Sequence, residues 1–258
     1  MATAGVSSVL FDLFDTLVLF DRERLPRLVV HGREVRSTAG HLHAVLQERL
    51  ARDLTLEACY DALIASWQDA ERRRAVDHRE VPAQERFGRW LERLAIDADE
   101  RSPELVAALL DTHRRELSKA AEFPSHHGHL LERLAERFRL AVVSNFDYSP
   151  TALGILDAAG VSHLFETIVV SDQVGWRKPK PDIFHVALGT LGVAPSEALF
   201  VGDRVDIDVV GAHAVGMPVA WINRHGDPLP QDIAPPTFEI RDLAELGPIL
   251  GMGGPDMA

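Results

Sequence analysis

The sequence predicts an α/β protein: a doubly wound, Rossmann-like parallel sheet into which a helical domain is inserted. From Phe123 onward, short aliphatic runs alternate with amphipathic stretches of helical length, a pattern typical of buried parallel strands joined by helices. Between residues 20 and 120 the strand signal nearly vanishes and helical periodicity dominates. One strand-like run, at 9–11, lies before this region, so the helices are expected to interrupt the sheet after its first strand.

The first predicted strand is Val9–Phe11, and four predicted helices follow it. Apolar residues recur there every three or four positions, which predicts a small helical bundle. A short hairpin is expected around His31 and Gly32, just before the first helix. The four helical stretches are Leu42–Leu50, Leu56–Trp67, Phe87–Leu94 and Leu105–Leu110.

The second half of the chain supplies the remaining strands of the sheet. They are predicted at Leu140–Val143, Phe165–Val170, Ala198–Val201 and Pro218–Ile222. The resulting domain boundaries are a core of residues 1–19 and 121–250, a helical domain of residues 20–120, and a loose C-terminal tail of residues 251–258.

Composition and charge exclude several classes of function. No apolar run approaches the roughly 18 residues of a membrane span, and the N-terminal segment lacks a signal-peptide pattern, so we expect a soluble, cytoplasmic protein. The 27 basic and 39 acidic residues give a net charge of −12, which argues against nucleic-acid and anionic-membrane partners. Because Cys59 is the only cysteine, no internal disulfide and no cysteine-based zinc site is expected.

Polar residues follow three of the predicted strands where each strand ends. They are Asp12, then Ser144 and Asn145, and finally Asp203 with Asp206 and Asp208 close behind. In doubly wound sheets ligands bind beyond the carboxyl ends of the strands, so these side chains are expected to converge on one crevice. Clustered carboxylates raise one another's pKa unless a cation binds them, and magnesium prefers such ligands. The sequence therefore predicts a Mg²⁺ site.

Groups suited to phosphate chemistry lie in the same predicted loops. Lys178 carries an ammonium that could neutralise a phosphoryl oxygen, and Thr16 and Ser144 carry hydroxyls that could bind one. The Asp12 carboxylate can act as a nucleophile and form an aspartyl-phosphate that water later hydrolyses. A small phosphorylated metabolite is the substrate class that this combination favours.

Four segments in register resemble the haloacid dehalogenase superfamily, in the subfamily I branch with a helical cap after the first motif. They are VLFDLFDTLV at 9–18, VVSN at 142–145, GWRKPKPDIF at 175–184 and FVGDRVDIDVVGAHAVGM at 200–217. The resemblance implies a nucleophile, Asp12, and a charge-neutralising lysine, Lys178. It also implies phosphate binding by Thr16, Ser144 and Asn145, and Mg²⁺ ligation by Asp12, the backbone carbonyl of Phe14, Asp203 and Asp208.

Phe14 departs from the superfamily pattern. Phosphatases of the superfamily carry an aspartate at this position, which protonates the leaving oxygen and then activates water. For a poor leaving group, loss of such an acid typically lowers the rate by about two to four orders of magnitude. The neighbouring Asp15 is not expected to replace it, because side chains one residue apart in an extended segment point to different sides.

Three hypotheses therefore remain open. The first is a magnesium-dependent phosphatase of slow or altered chemistry. The second is a carbon-bond hydrolase of the 2-haloacid dehalogenase or phosphonatase type. Against the dehalogenase, Asp203 and Asp208 indicate that a cation is retained; against the phosphonatase, Lys119 lies too late in the insertion to form its Schiff base. The third is a catalytically quiet binding or regulatory protein.

Overall fold

The computed structural model describes residues 5–50 and 52–252. Its contacts divide the chain into two units. The first is formed by both ends of the chain, up to Leu19 and from Phe123 onward. The second is the intervening segment Phe20–Glu122. The predicted boundaries, at residues 20 and 120, fall within two residues of this division.

Most of the strands and helices lie where apolar runs and helical periodicity predict them. The strands are β1 (Ser8–Phe11), β2 (Leu19–Phe20), β3 (Arg27–Val30), β4 (Arg33–Arg36), β5 (Ala121–Glu122), β6 (Arg139–Ser144), β7 (Phe165–Val170), β8 (Ala198–Gly202), β9 (Val219–Ile222) and β10 (Phe238–Ile240). The helices are α1 (Ala39–Arg49), α2 (Leu56–Asp77), α3 (Ala83–Arg93), α4 (Pro103–Ser118), α5 (Ser125–Ala135), α6 (Ser149–Ala158), α7 (Ser171–Val174), α8 (Pro181–Leu191), α9 (Val210–Ala214) and α10 (Leu246–Ile249).

A six-stranded sheet in the order β10-β9-β8-β1-β6-β7 forms the centre of the first unit, and every pair in it is parallel. Strand β1 lies in the middle and is buried along its whole length. Its last residue, Phe11, is in register with Val142 of β6 and Val201 of β8. The loops that follow β1, β6 and β8 therefore emerge side by side at one edge. The predicted fold class is confirmed.

Helices α8 and α9 cover the sheet through an apolar cluster that includes Phe184, Phe200 and Trp221. The rings of Phe184 and Phe200 meet edge to face with centroids 5.1 Å apart. Gly211 of α9 allows this packing, because a Cβ there would lie 2.6 Å from the ring of Phe184. The tight approach fixes the start of α8, and with it the loop that carries Lys178.

The second unit contains the four predicted helices. Helix α1 packs against α2 and α4, and α3 packs against the same two helices, so that the four form a closed bundle. Its interior holds Phe87 and Trp90, whose indole N–H donates to the backbone carbonyl of Cys59 at 3.0 Å. Strands β3 and β4 pair antiparallel, as the hairpin prediction expects. Burial raises the pKa of the Cys59 thiol to about 11, so this cysteine is an inert packing residue.

The C-terminal segment differs from the prediction of a loose tail. Helix α10 is followed by Met252, which is 7% exposed and donates its backbone N–H to the carbonyl of Gly247. Arg137 also donates to the carbonyl of Gly251 at 3.2 Å. The prediction is therefore wrong for residues 251–252, because an apolar side chain follows the glycines and is buried. The rest of the predicted tail, residues 253–258, lies outside the described residues.

None of the helices within the described ranges is long and apolar enough to cross a membrane.

Candidate active site

Three carboxylates meet at the carboxyl ends of the central strands. Asp12 follows β1, Asp203 follows β8, and Asp208 lies in the π-helical turn Val205–Val209 that leads into α9. One oxygen from each carboxylate lies within 4.8 Å of the others. Asp12 and Asp208 are buried and Asp203 is half-buried. Such a group of oxygen ligands suits a hard divalent cation.

Gly202 explains why Asp208 can reach this position. A Cβ at Gly202 would lie 2.4 Å from Oδ2 of Asp208 and 2.5 Å from its Cγ. The absence of a side chain at the end of β8 therefore makes room for the carboxylate. The backbone N–H of Arg204 then donates to Oδ2 of Asp208 at 3.0 Å and fixes its orientation.

Lys178 lies between two of the carboxylates. Its Nζ is 2.6 Å from Oδ1 of Asp12 and 2.8 Å from Oδ1 of Asp208, and its side chain is 1% exposed. The ammonium also lies 5.1 Å from the ring centroid of Phe200, within the range of a cation–π contact. A lysine so deeply buried is held by these charges, because an unpaired ammonium would be strongly disfavoured there.

The side chain of Asn145 hydrogen-bonds to both the backbone N–H and the backbone carbonyl of Lys178. Its Nδ2 donates to the carbonyl of Lys178 at 3.0 Å, and its Oδ1 accepts the backbone N–H of Lys178 at 2.7 Å. The amide thus fixes the loop that delivers the ammonium to Asp12. Phosphate binding by Asn145 stays a prediction.

Burial and mutual repulsion perturb the ionisation of the site. Burial raises the pKa of Asp12 to about 6, with Lys178 opposing the rise and Asp208 adding to it. Burial, followed by the charges of Asp12 and Asp208, raises the pKa of Asp203 to about 7. Burial lowers the pKa of Lys178, but the two adjacent carboxylates more than offset this, so that its pKa is raised and it stays charged. A divalent cation among these oxygens would favour their ionised forms.

Two hydroxyls near the ends of the same strands lack protein partners. Thr16 and Ser144 are fully buried, and neither Oγ1 of Thr16 nor Oγ of Ser144 has a hydrogen-bond partner within the described part of the chain. Buried hydroxyls without a partner are costly and rare in folded proteins. Both hydroxyls are therefore expected to bind a polar ligand. Each lies after a predicted strand, in the region where phosphate binding is predicted.

Phe14 adds an aromatic surface to the carboxylate site. Its ring packs against Phe146 with centroids 4.9 Å apart. Phe14, Asp12 and Lys178 all line a cavity of about 170 Å³, which we call the nucleophile cavity after the predicted role of Asp12. The residue two positions after Asp12 thus offers no titratable group to this cavity.

Asp15 differs from its predicted orientation. The prediction assumes an extended backbone, whereas Asp15 has φ +56° and turns left-handed, a conformation that aspartate tolerates better than most residues. Asp15 consequently lines the nucleophile cavity beside Asp12. Its backbone carbonyl accepts a hydrogen bond from the guanidinium of Arg224, and a second N–H of Arg224 lies 3.4 Å from the carbonyl of Thr16.

Asp206 is the one strand-end residue that does not converge on the site. Its carboxylate is 62% exposed and pairs with the guanidinium of Arg204 at 2.9 Å. Asp206 and Asp208 lie in the same π-helical turn, whose winding directs Asp208 inward and Asp206 to solvent. The predicted convergence of Asp206 is therefore wrong.

Two further residues that contact the site were not selected from the sequence. The indole N–H of Trp221 donates to the backbone carbonyl of Asp203 at 2.9 Å, and Arg224 binds the turn after Asp12. Trp221 lies in β9 and Arg224 follows it. Applying the strand-end rule to β9 as well would have selected this segment.

The chain is similar to known proteins in sequence and in fold. The family model described as haloacid dehalogenase-like hydrolase matches residues 6–216. Glyceraldehyde 3-phosphate phosphatase of Methanopyrus kandleri is 31% identical over 93% of this chain and 95% of its own length. The 2-haloacid dehalogenase of Pseudomonas syringae pv. Tomato DC3000 superimposes with TM-score 0.68 at 24% identity, over 95% of this chain and 98% of that one. The HAD-hydrolase YfnB of Bacillus subtilis, solved bound to magnesium, does so with TM-score 0.59 at 24% identity, over 96% and 99%.

Proposed function

The chain belongs to the haloacid dehalogenase-like hydrolase family, and we propose that it is a magnesium-dependent phosphatase that acts on small phosphate monoesters through Asp12. The observation that carries the proposal is the buried Lys178 ammonium between Asp12 and Asp208, with the third carboxylate of Asp203 beside them. In this proposal Asp12 is the nucleophile, Lys178 is the cation that neutralises charge, and the three carboxylates are the metal ligands. The name of the Methanopyrus relative supports the same substrate class.

In the proposed reaction Asp12 attacks the phosphorus of the bound ester. A bond forms between a carboxylate oxygen of Asp12 and phosphorus, while the bond from phosphorus to the ester oxygen breaks and the departing oxygen takes up a proton from solvent water. Lys178 stabilises the negative charge on the non-bridging oxygens, and the hydroxyls of Thr16 and Ser144 donate hydrogen bonds to them. Water then hydrolyses the aspartyl-phosphate and restores Asp12.

The residues present fit a magnesium ion. Carboxylate oxygens of Asp12, Asp203 and Asp208, with the backbone carbonyl of Phe14, would hold it. When bound, Mg²⁺ would lower the charge repulsion between the carboxylates and the phosphoryl oxygens. The pKa values of Asp12 and Asp203 are raised by burial and by the neighbouring carboxylates, and a bound divalent cation would offset this effect.

Phe14 limits which esters are cleaved quickly. With Phe14 packed on Phe146, this position supplies no acid to the departing oxygen. Asp15 lines the same cavity, and where its carboxyl does not act in place of that acid, aryl and acyl phosphates react faster than alkyl phosphates by a factor of about 10² to 10⁴, because their leaving groups depart readily as anions. A non-hydrolytic member of the family and a halide-releasing enzyme are the two competing hypotheses.

The test is phosphate release from p-nitrophenyl phosphate, with Mg²⁺ and with EDTA. We expect turnover by the wild-type protein that both EDTA and Asp12→Asn abolish. Asp206→Asn is the matched control, because it removes an exposed carboxylate of the same loop and should keep wild-type turnover. Phe14→Asp should raise the rate on an alkyl phosphate by about 10²-fold.

Other outcomes would contradict the proposal in distinct ways. Release of halide from 2-haloacids in the presence of EDTA would establish the dehalogenase. An inactive wild-type protein that gains turnover with Phe14→Asp would establish a catalytically quiet member of the family.

A further inference from the structure

A second, larger cavity adjoins the nucleophile cavity within the first unit. It has a volume of about 490 Å³ and shares Asp15, Asp203 and Arg204 with its smaller neighbour. Its far wall is the segment after β9, residues 223–227, which we call the β9 loop. The two cavities therefore border one another at these three residues, one of which, Asp203, is a proposed metal ligand.

The volumes of the two cavities suggest different occupants. The nucleophile cavity, at about 170 Å³, falls below the lower limit of typical small-molecule sites. That suffices for a phosphoryl group and a hydrated cation but leaves little room for an organic group. The larger cavity lies within the range of small-molecule sites, about 300–1,000 Å³. The organic part of a bound ester would therefore extend into it.

The β9 loop is held in place before any ligand binds. Oδ1 of Asn223 accepts the backbone N–H of Asp227 at 2.8 Å, and Nδ2 of Asn223 donates to the carbonyl of Asp227 at 2.9 Å. Nδ2 also donates to Oε1 of Glu239 at 2.7 Å. Arg224 is fixed by its bonds to the carbonyls of Asp15 and Thr16. Because this wall is already ordered, ligand binding does not lose the conformational entropy of ordering it.

The side chains of the cavity indicate the chemistry of its ligand. Both guanidinium groups are already engaged, Arg204 by Asp206 and Arg224 by backbone carbonyls. In contrast, Asp227 is exposed, its hydrogen bonds to Asn223 use only its backbone, and its carboxylate has no hydrogen bond or ion pair among the described residues. The wall therefore offers an acceptor for hydroxyl groups. Its three carboxylates, those of Asp15, Asp203 and Asp227, outnumber its two guanidinium groups, of which Arg204 is already paired with Asp206, so a second anionic group is disfavoured.

We infer that this cavity is a subsite for an uncharged, hydroxyl-bearing leaving group, so that the substrate is the phosphate monoester of a polyol or sugar. The inference rests on the proposed function, because it assigns the phosphoryl group to the nucleophile cavity. A ligand hydroxyl donates to the carboxylate of Asp227, and the imidazole of His225 lies in the same wall.

The first experiment measures binding without turnover. In the Asp12→Asn background with Mg²⁺, calorimetry compares glycerol 1-phosphate with phenyl phosphate, which lacks free hydroxyl groups. We expect Asp227→Asn to lower the affinity for glycerol 1-phosphate relative to phenyl phosphate by about tenfold, because the charged acceptor is replaced by a weaker, neutral one. Asp232→Asn is the matched control, since it makes the same change on an exposed residue outside the cavity and should leave the ratio unaltered.

The second experiment measures kcat/KM of the wild-type protein and of Asp227→Asn for the same two esters. We expect the same change in ratio. Equal effects of Asp227→Asn on both esters, or a preference for esters with a carboxylate in the leaving group, would overturn the subsite. Binding selectivity without any hydrolysis would instead refute the phosphatase and leave the subsite standing, so the two failures are distinguishable.

Discussion

The contact between Gly202 and Asp208 makes a quantitative prediction for Gly202→Ala. The new Cβ would lie 2.4 Å from Oδ2 and 2.5 Å from Cγ of Asp208, about 1 Å inside ordinary van der Waals contact. Since β8 is buried between β1 and β9, Asp208 has to move instead of the strand. The shift would break the 3.0 Å hydrogen bond from the N–H of Arg204 to Asp208.

The expected cost follows from these two effects. Overpacking of a buried site costs about 1–3 kcal/mol, and loss of a hydrogen bond to a charged group costs about 1.5–3 kcal/mol. Because one displacement causes both, they do not add fully, and we expect the free energy of unfolding to fall by about 2–4 kcal/mol. The affinity for Mg²⁺ should fall at least about tenfold, since one of its proposed ligands has moved.

Urea unfolding and calorimetric Mg²⁺ titration would measure the two effects. Gly189→Ala is the matched control, because Gly189 is exposed in α8 and no atom lies within 4 Å of its would-be Cβ. The control should raise the free energy of unfolding by about 0.5–1 kcal/mol through helix propensity and leave Mg²⁺ affinity unchanged. If Gly202→Ala retained wild-type stability and bound Mg²⁺ as tightly as wild type, the argument that Gly202 positions Asp208 would be refuted.

Three further predictions concern the same site. Lys178→Met leaves the carboxylates of Asp12 and Asp208 buried without their cation, so urea unfolding near about pH 8 without Mg²⁺ should show a loss of about 3–5 kcal/mol. The loss should be smaller at about pH 5, because this lies below the pKa of about 6 of Asp12 and the protonated carboxyl needs no cation. An equal loss at both pH values would contradict this prediction. Trp221→Phe removes the indole N–H from the carbonyl of Asp203, which should weaken Mg²⁺ binding about two- to tenfold by calorimetry; unaltered affinity would count against this role. Because protons compete with the metal at Asp12 and Asp203, the pKa values of about 6 and about 7 predict that Mg²⁺ affinity falls on the order of 20-fold from about pH 8 to about pH 6, and a flat profile would refute it.

The sequence predicts the sheet well because its strands are buried on both faces. Such strands are continuous apolar runs, and β1, β6 and β8 were recognisable as such. Their parallel register then brings the residues after each strand to one edge, which is why Asp12 and Asp203 could be placed together from the sequence. Strand β10 was missed because only Ile240 of its three residues is buried.

The contacts that complete the site depend on tertiary structure. Arg224 binds the carbonyl of Asp15, which lies 209 residues earlier, and no local pattern predicts a bond to a backbone atom. The left-handed turn at Asp15 is equally hidden, because aspartate occurs there without the glycine that usually marks such a conformation. Asn145 likewise follows a predicted strand, but only the folded loop reveals that it holds Lys178.

The buried lysine also has a consequence for how the protein matures. In domains whose fold depends on a structural metal, the chain stays unfolded until the ion arrives. Here Lys178 already supplies an internal counter-ion to Asp12 and Asp208. We therefore expect the fold to form without the proposed metal, so that newly made chains fold first and bind the ion afterwards. An ion that is not a structural support can also be exchanged with the medium without unfolding its host.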